Sequence, residues 1–556
     1  MSRSPSAQAG LLVESSPDFA VALFAAWRSG LGVLPLPVEF PDDRLRTMVR
    51  DAAPLVLLTS AVQRDRAERL THGLVTRVVD VAAGPGTSPA PVAGPADHIA
   101  FTVYTSGSTG RPKGVAIRQS QVADLLAWET EAWRLGPWVR MAQTLSLGFD
   151  FGLQELFSSI PCGGCLVIPA AADRRNAVAY AGFLRRERVT VLFTTPSYAD
   201  ELAATRLPLP DLRLVLIGGE VLRWPTVAAL EAIVGPDCRL INGYGPTEAT
   251  VNCLAYEIPR RRPGRAGGSD IVPAGRASGP ARIHLLDEYG LPAPAGAVGR
   301  ISIGGPGVAD GYLHRPDLTA ERFVPGPPDS PQTVYRSGDL AYLDADGQFV
   351  VIGRDDRQVK LRGYRMEQGE IEWALRQTPG VVSAAVRVVG RPARLVALIS
   401  GAVEVRDVLD DLARRLPGPL LPDHVLVLGQ LPLTANGKLD DVAIQKLAES
   451  AGDQALPSTD LSTAEIEDVI CRLWRDVLDL TVIDPARNVF DQGAHSLAAT
   501  LAHSRLQAWL GLRFPVSDLF EYPCPRELAG RLREYRRTAG QPDAEPASGG
   551  RSTRSR

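Results

Sequence analysis

The sequence predicts a multidomain protein: a large α/β lobe with a small β-barrel-like subdomain, a second lobe of α+β type, and a third, helical region towards the C-terminus. Three observations predict it. The chain has 556 residues, too many for one hydrophobic core. Its first part alternates short apolar runs with amphipathic stretches, the rhythm of strands joined by helices. The pattern then changes twice, to short strand-like runs with turns between them and finally to a capped helical pattern.

Composition narrows the function classes. Hydrophobic residues make up 45% and charged residues 22%, the balance of a globular protein. Lys+Arg number 60 against 63 Asp+Glu, so there is no basic excess to suggest nucleic acid. Phe19–Trp27 is too short to span a bilayer and no charged start precedes a long apolar core, so neither membrane nor export is expected and the cytoplasm is. Six cysteines suit a reducing compartment; the pair Cys162 and Cys165 has no second pair or His cluster and reads as a tight turn.

In order, residues 1–10 are small and polar and read as unstructured. A helix over Asp18–Arg28, a strand over Leu31–Val38, a helix over Arg44–Asp51 and a strand over Leu55–Thr59 follow. Residues 82–96 form a Gly/Pro/Ala-rich loop, Ile99–Val103 a strand, Gln121–Trp133 a helix, and Leu153–Ile160 another. Strands are expected at Val189–Thr194 and Leu212–Ile217. A connector at 259–280 precedes the short strands Arg282–Asp287, Gly299–Ile303, Val334–Tyr335 and Phe349–Ile352. The divisions are 1–355, 356–448, a linker at 449–460, a helical region at 461–537 and an unstructured tail at 538–556. Ser462-Thr463-Ala464-Glu465 is a capping box, opening a helix with Ile466, Ile470, Leu473 and Val477 on one face.

The stretch Tyr104-Thr105-Ser106-Gly107-Ser108-Thr109-Gly110-Arg111-Pro112-Lys113-Gly114-Val115 follows a strand, and its hydroxyls, glycines and Lys113 suit phosphate. The spacing is not that of a P-loop. Further on stand Asn242-Gly243-Tyr244-Gly245-Pro246-Thr247-Glu248, Tyr335-Arg336-Ser337-Gly338-Asp339-Leu340, the run from Gly353 to Arg365, and Leu431 to Leu439 with Lys438. In this combination and order, over about 11–439, they resemble the adenylate-forming enzymes: acyl-CoA synthetases, luciferases and the adenylation domains of nonribosomal peptide synthetases. Ala26–Leu36 resembles that superfamily's second core motif. The first has no counterpart, so the resemblance implies an N-terminally shortened lobe.

The resemblance implies ATP and Mg²⁺. Thr105, Ser106, Gly107, Ser108, Thr109, Gly110 and Lys113 would hold phosphates, Glu248 would hold Mg²⁺, Thr247 would donate to the α-phosphate, Tyr244 would stack on adenine, and Asp339 and Arg354 would hold the ribose. Lys438 would bridge nucleotide and substrate carboxylate during adenylation. The second lobe would then turn about Asp356 to bring the loop at Gly363 to the site for thiol attack. The substrate pocket would be Asp150, Phe151, Gln154, Phe193, Leu216, Gly218, Gly243, Val251, Asn252 and Lys438, with Asp150 for the ammonium. No lining charge remains for a charged side chain. Gln154 and Asn252 either bond a polar substrate atom or satisfy one another. The pocket is similar to those for cyclic secondary amino acids, making a proline-like ring the first candidate and a branched aliphatic or hydroxylated amino acid the second.

The helical region, with Gly493-Ala494-His495-Ser496-Leu497, resembles a peptidyl carrier domain, a four-helix bundle whose Ser496 would bear 4′-phosphopantetheine, although Ala494 replaces a glycine usual there. The implied partners are an amino acid, a phosphopantetheinyl transferase, a downstream synthetase or tailoring enzyme acting in trans, and an MbtH-like helper protein. Two alternatives stand beside this reading. One is an aryl- or fatty-acid ligase, against which Asp150 speaks. The other is a non-catalytic carrier scaffold, against which Lys113, Glu248, Asp339 and Lys438 speak.

Overall fold

The computed structural model describes residues 7–82, 97–107, 112–170, 172–174, 176–260, 270–294, 296–327, 332–356, 358–361, 364–390, 393–433, 439–453, 462–478, 482–492, 494, 499, 502–503, 506, 514 and 518–539. The chain divides into two compact units, Met1–Ala448 and Glu449–Arg556.

In the first unit, β1 (Gln8–Leu12), β2 (Gly32–Pro35), β3 (Val56–Thr59), β4 (Arg77–Asp80), β5 (Ile99–Thr105) and β6 (Lys113–Arg118) form a sheet in the order β4-β3-β1-β2-β5-β6. β1 to β5 are parallel, and β6 returns antiparallel to β5 with Lys113 opposite Thr105. β5 is buried along its whole length, as an apolar strand covered on both faces must be. A second sheet holds β7 (Arg140–Ala142), β8 (Cys165–Val167), β9 (Val191–Thr194), β10 (Leu214–Gly218), β11 (Arg239–Tyr244), β12 (Leu254–Glu257) and β13 (Arg276–Ala277), in the order β13-β12-β11-β10-β9-β7-β8. Its first five strands are parallel, and the last two run antiparallel.

The subdomain expected to be barrel-like is an antiparallel sheet of β14 (Arg282–Leu286), β15 (Gly299–Gly304), β16 (Phe323–Pro325), β17 (Thr333–Leu343) and β18 (Phe349–Arg354). β17 pairs with β15, β16 and β18 in turn, with irregular register against β18. Beyond it, β19 (Gln358–Leu361) and β20 (Tyr364–Glu367) make a two-stranded hairpin. β21 (Val381–Val389), β22 (Arg394–Gly401) and β23 (His424–Leu428) form a sheet packed by the helices Gln368–Arg376 and Val405–Arg415.

Four expectations are corrected. Residues 8–10, read as unstructured, belong to β1 inside the first sheet. Ala9 and Gly10 look unremarkable in sequence because smallness is their function here: a Cβ on Gly10 would stand 3.2 Å from Leu36 Cδ1. The phosphate-type stretch does not run into a helix, because β6, with Val115 and Ile117 fully buried, intervenes before the helix Gln119–Ala132. The stretch thus lies between the paired strands β5 and β6, not directly before a helix. Asp150 opens the helix Asp150–Ser159 instead of preceding it. The helix Asp441–Asp453 runs on into the expected linker at 449–460.

In the second unit, Ser462 and Glu465 close the expected capping box: Ser462 N donates to Glu465 Oε2 at 2.7 Å, and Glu465 N to Ser462 Oγ at 3.3 Å. The helix Thr463–Leu478 buries Ile466, Ile470, Leu473 and Trp474 against Ala499, Ala502, Leu506, Leu519, Leu528 and Leu532. The helix Pro525–Ala539 closes this core. Among the described residues no helix is long and apolar enough to cross a membrane.

Candidate active site

Ligands of open α/β sheets collect beyond the C-terminal ends of strands. Here those ends border one cavity that opens to solvent. Thr105 and Ser106 come from the end of β5, Gly218 from β10, and Gly243, Gly245, Pro246, Thr247, Val251 and Asn252 from β11 and the turn after it, with Tyr244 and Glu248 behind them. Asp339 and Arg354 reach it from the antiparallel sheet, and Lys360, Tyr364 and Arg365 from the β19–β20 hairpin.

At one end the side chains are charged. Arg354 Nη1 donates to Asp339 Oδ1 at 2.6 Å and Tyr244 OH to Asp339 Oδ2 at 2.6 Å, while Arg354 Nε donates to Asp356 Oδ1 at 2.7 Å. The expected hinge residue is thus tied to an expected ribose residue. Tyr244 is buried and carries the Lys360 ammonium 5.2 Å from its ring centroid. Glu248 is fully buried: Arg365 Nη1 donates to its Oε2 at 2.5 Å, Tyr312 OH to its Oε1 at 2.8 Å, and Lys113 Nζ lies 3.8 Å from Oε1. Burial pushes this carboxyl up, but Arg365 and Lys113 outweigh it and hold it at about 2. Burial in turn lowers Lys113 to about 8, against the pull of Glu248.

These residues fit the groups the sequence implied. Thr105 Oγ1 is buried without a hydrogen-bond partner in the wall of the cavity, a donor suited to an anionic oxygen. Glu248 has the hard oxygens a magnesium ion takes, although in this arrangement both are held by protein donors. No cluster of three or more metal-type side chains occurs among the described residues, so a cation here would rest on Glu248 and ligand phosphates.

The other end is apolar and narrow. Phe151 stacks on Phe193 at 5.8 Å between ring centroids and 23° between planes, and Trp133 meets Phe193 edge-on at 6.1 Å. Asp150, Phe151, Gly218, Gly243, Val251 and Asn252 line the cavity. Gln154, Phe193 and Leu216, expected in the lining, are each 0% exposed and stand one layer behind it. A Cβ on Gly218 would lie 3.1 Å from Gly243 O and 3.4 Å from Phe151 Cζ, so only glycine keeps that wall flat. Desolvation raises the Asp150 carboxyl, partly offset by the Thr247 hydroxyl and the Phe151 N–H. A cation arriving beside it would relieve that cost.

Gly107 is buried at the end of β5 and is not in the cavity lining. Ser108, Thr109, Gly110, Gly363, Lys438 and Ser496 lie outside the described residues. Four features of the site went unread in the sequence. Arg365 and Lys360 stood in a charge run of which only Arg354, Asp356 and Gly363 were singled out. Arg44 and Glu370 form a buried pair at 2.6 Å between the helices Asp42–Ala52 and Gln368–Arg376, and no local signal marks a partner 326 positions away. Glu129 is a buried carboxyl in the helix Gln119–Ala132. Its neighbours Ala127 to Ala132 read as an ordinary amphipathic turn.

Comparisons with known proteins agree on what this architecture is similar to. The family model described as AMP-binding enzyme matches residues 4–313, and that described as phosphopantetheine attachment site matches residues 468–532. Phosphinothricin tripeptide synthetase PhsC of Streptomyces viridochromogenes is 36% identical over 547 residues, covering 94% of this chain and 48% of the relative. Malpinin synthetase of Mortierella alpina is 34% identical over 554 residues, covering 96% of this chain and 7% of the relative. The chain therefore spans half or less of these relatives' length. Among solved structures, holo-PA1221, an NRPS protein containing adenylation and PCP domains bound to a vinylsulfonamide inhibitor, matches with a TM-score of 0.72 and 27% identity. That match covers 96% of this chain and 88% of the other.

Proposed function

The chain belongs to the AMP-binding enzyme family and carries a phosphopantetheine attachment domain, and on that premise we propose that it activates a neutral amino acid and loads it on its own carrier arm. The setting would be nonribosomal peptide or related natural-product assembly. A carboxylate oxygen of the amino acid attacks the α-phosphorus of ATP, the bond to the β-phosphate oxygen breaks, and pyrophosphate leaves. The phosphopantetheine on Ser496 supplies the thiol that accepts the acyl group as AMP departs.

The observation that carries this reading is the continuity of the cavity: the ammonium-type residue Asp150 and the nucleotide-type residues Thr105, Thr247, Asp339 and Arg354 border the same space. Such a space holds two reactants in line. In this reading Asp150 takes the substrate ammonium, Asp339 with Arg354 takes the ribose, Thr105 and Ser106 take phosphate oxygens, and Glu248 takes Mg²⁺. Lys438 bridges the two anions during adenylation. The lobe from 356 to 448 then turns about Asp356 and brings the loop at Gly363 forward for transfer.

Phe151, backed by Phe193, and Val251 with two glycines leave room for a small to medium side chain, and a charged one would be buried unpaired. A proline-like ring is the first candidate, a branched aliphatic or hydroxylated side chain the second. A phosphopantetheinyl transferase must modify Ser496, a downstream enzyme must take the loaded residue, and an MbtH-like protein would assist folding. ATP–pyrophosphate exchange across the amino acids tests the reading. Exchange driven by a neutral amino acid supports it, while exchange driven only by aryl or fatty acids, or by none, contradicts it.

A further inference from the structure

Behind the amino-acid end of the cavity runs a buried polar chain that the two half-reactions do not use. Asn252 Nδ2 donates to Gln154 Oε1 at 3.0 Å, Gln154 Nε2 donates to Glu129 Oε1, and Ser158 Oγ donates to Glu129 Oε2 at 2.6 Å. Gln154 and Glu129 are both 0% exposed. Among the described residues, only Gln154 and Ser158 act on the Glu129 carboxyl beyond its burial, which raises it to about 8. A carboxyl buried with no cation is costly. An amide or a leucine would fill the same space without that cost, so the acid has another use.

Its use follows from hydrogen-bond polarity. A carboxylate oxygen accepts, so Glu129 Oε1 obliges Gln154 to present its NH₂ group. With a proton on Oε2, that oxygen bonds Ser158 and Oε1 still accepts from Gln154. Gln154 then has its carbonyl oxygen left for Asn252, and one N–H of the Asn252 amide goes to that oxygen, which fixes the amide with its NH₂ on the Gln154 side. What remains at the cavity is Asn252 Oδ1. It accepts from no described residue, in a side chain that lines the cavity and is 9% exposed. A Cβ on Gly243 would come within 3.0 Å of this oxygen, so the glycine keeps the space before it open.

We propose that Glu129 is a positioning residue for substrate choice: through Gln154 it locks the Asn252 amide with its oxygen toward the substrate, so that within either candidate class, ring or branched, the pocket favours the neutral member that carries a hydrogen-bond donor, a hydroxyl first of all. The proposal rests on the reading of this cavity as an amino-acid adenylation site. A side chain with only C–H groups leaves Asn252 Oδ1 desolvated and unpaired. A hydroxyl of the same volume satisfies it. Between two otherwise matched substrates the preference is about tenfold in kcat/KM.

The test is pyrophosphate exchange with two matched pairs, threonine against valine and 4-hydroxyproline against proline, on wild type, E129Q, E129L and Q154M. Wild type favours the hydroxylated member of the pair it accepts. E129Q, whose amide oxygen still accepts from Gln154 while its NH₂ faces Ser158, keeps that ratio. In E129L or Q154M, whichever melts like wild type, the ratio falls about tenfold because the Asn252 amide is free to turn. A wild type that favours valine and proline overturns the proposal without any variant, and so does an unchanged ratio in a folded E129L or Q154M. Exchange with no amino acid at all overturns the adenylation reading beneath it, a different result from exchange that ignores the hydroxyl.

Discussion

Beside the cavity end proposed for the nucleotide Glu248 is paired with Arg365 and Asp339 with Arg354, whereas behind the end proposed for the amino acid the buried carboxyl of Glu129 meets, among the described residues, only an amide and a hydroxyl. The two ends are built for different tasks. An ion pair can be exchanged, since a metal ion or a phosphate can take the place of one partner, and such exchange suits a site that binds and releases a charged nucleotide. A chain of amides cannot change partners without reversing its polarity throughout, which suits a wall that must judge one side chain the same way every time.

The largest expected effect breaks the charged end. Glu248→Gln leaves Arg365 and Lys113 without their counter-charge and removes the carboxylate proposed to hold Mg²⁺, and exchange falls about 100-fold or more. A loss of less than about threefold would make Glu248 structural only. Arg365→Met separates two roles at the same end. Arg365 holds Glu248 from the β19–β20 hairpin, so in this arrangement the hairpin supplies a counter-charge to Glu248. The variant weakens that arrangement. Transfer to the arm drops about tenfold more than exchange does, read by following both on the same preparation. Equal losses would mean that Arg365 serves adenylation too.

The smallest expected effect sharpens the contrast through pH. The Glu248 carboxyl, held at about 2 against an ordinary 4.5, contributes stability that is complete above that ordinary value and is lost as pH falls towards 2. Glu129, raised from 4.5 to about 8, has the opposite sign: its contribution is complete at low pH and is lost as pH rises through 8. Thermal melting of wild type therefore declines between mildly acidic pH and pH about 8.5, and Glu129→Gln removes a part of that decline worth about 2 °C or more. A wild-type-to-variant difference independent of pH would contradict the assignment.

How much of this was readable from the residues divides along the same line. The charged end was legible because its groups sit in contiguous runs: Thr247 and Glu248 in one, Asp339 in another, Arg354 and Asp356 in a third. The first and third runs lie at strand ends, after β11 and at the close of β18, and Asp339 lies within β17 opposite Arg354. The order of strands and helices was legible for the same reason, from runs such as Ile99–Val103 and Leu212–Ile217. The relay was not, since Gln154 and Asn252 are brought together across 98 positions, and only burial distinguishes Glu129 from an ordinary helical glutamate. β1 was missed because Ala9 and Gly10 are small by necessity, and β6 because the glycines before it drew attention to the turn. Arg365 was visible in its run, but its partner Glu248 is 117 positions away.

The measurement closest to the central claim is the intact mass of the chain after treatment with coenzyme A and a phosphopantetheinyl transferase, then with ATP, Mg²⁺ and single amino acids. The account predicts one added arm in the wild type and none in Ser496→Ala, followed by a second increment equal to one neutral aminoacyl group that appears only when ATP is present. An increment from a charged amino acid, loading of Ser496→Ala, or a modified arm that no amino acid ever adds to would contradict it.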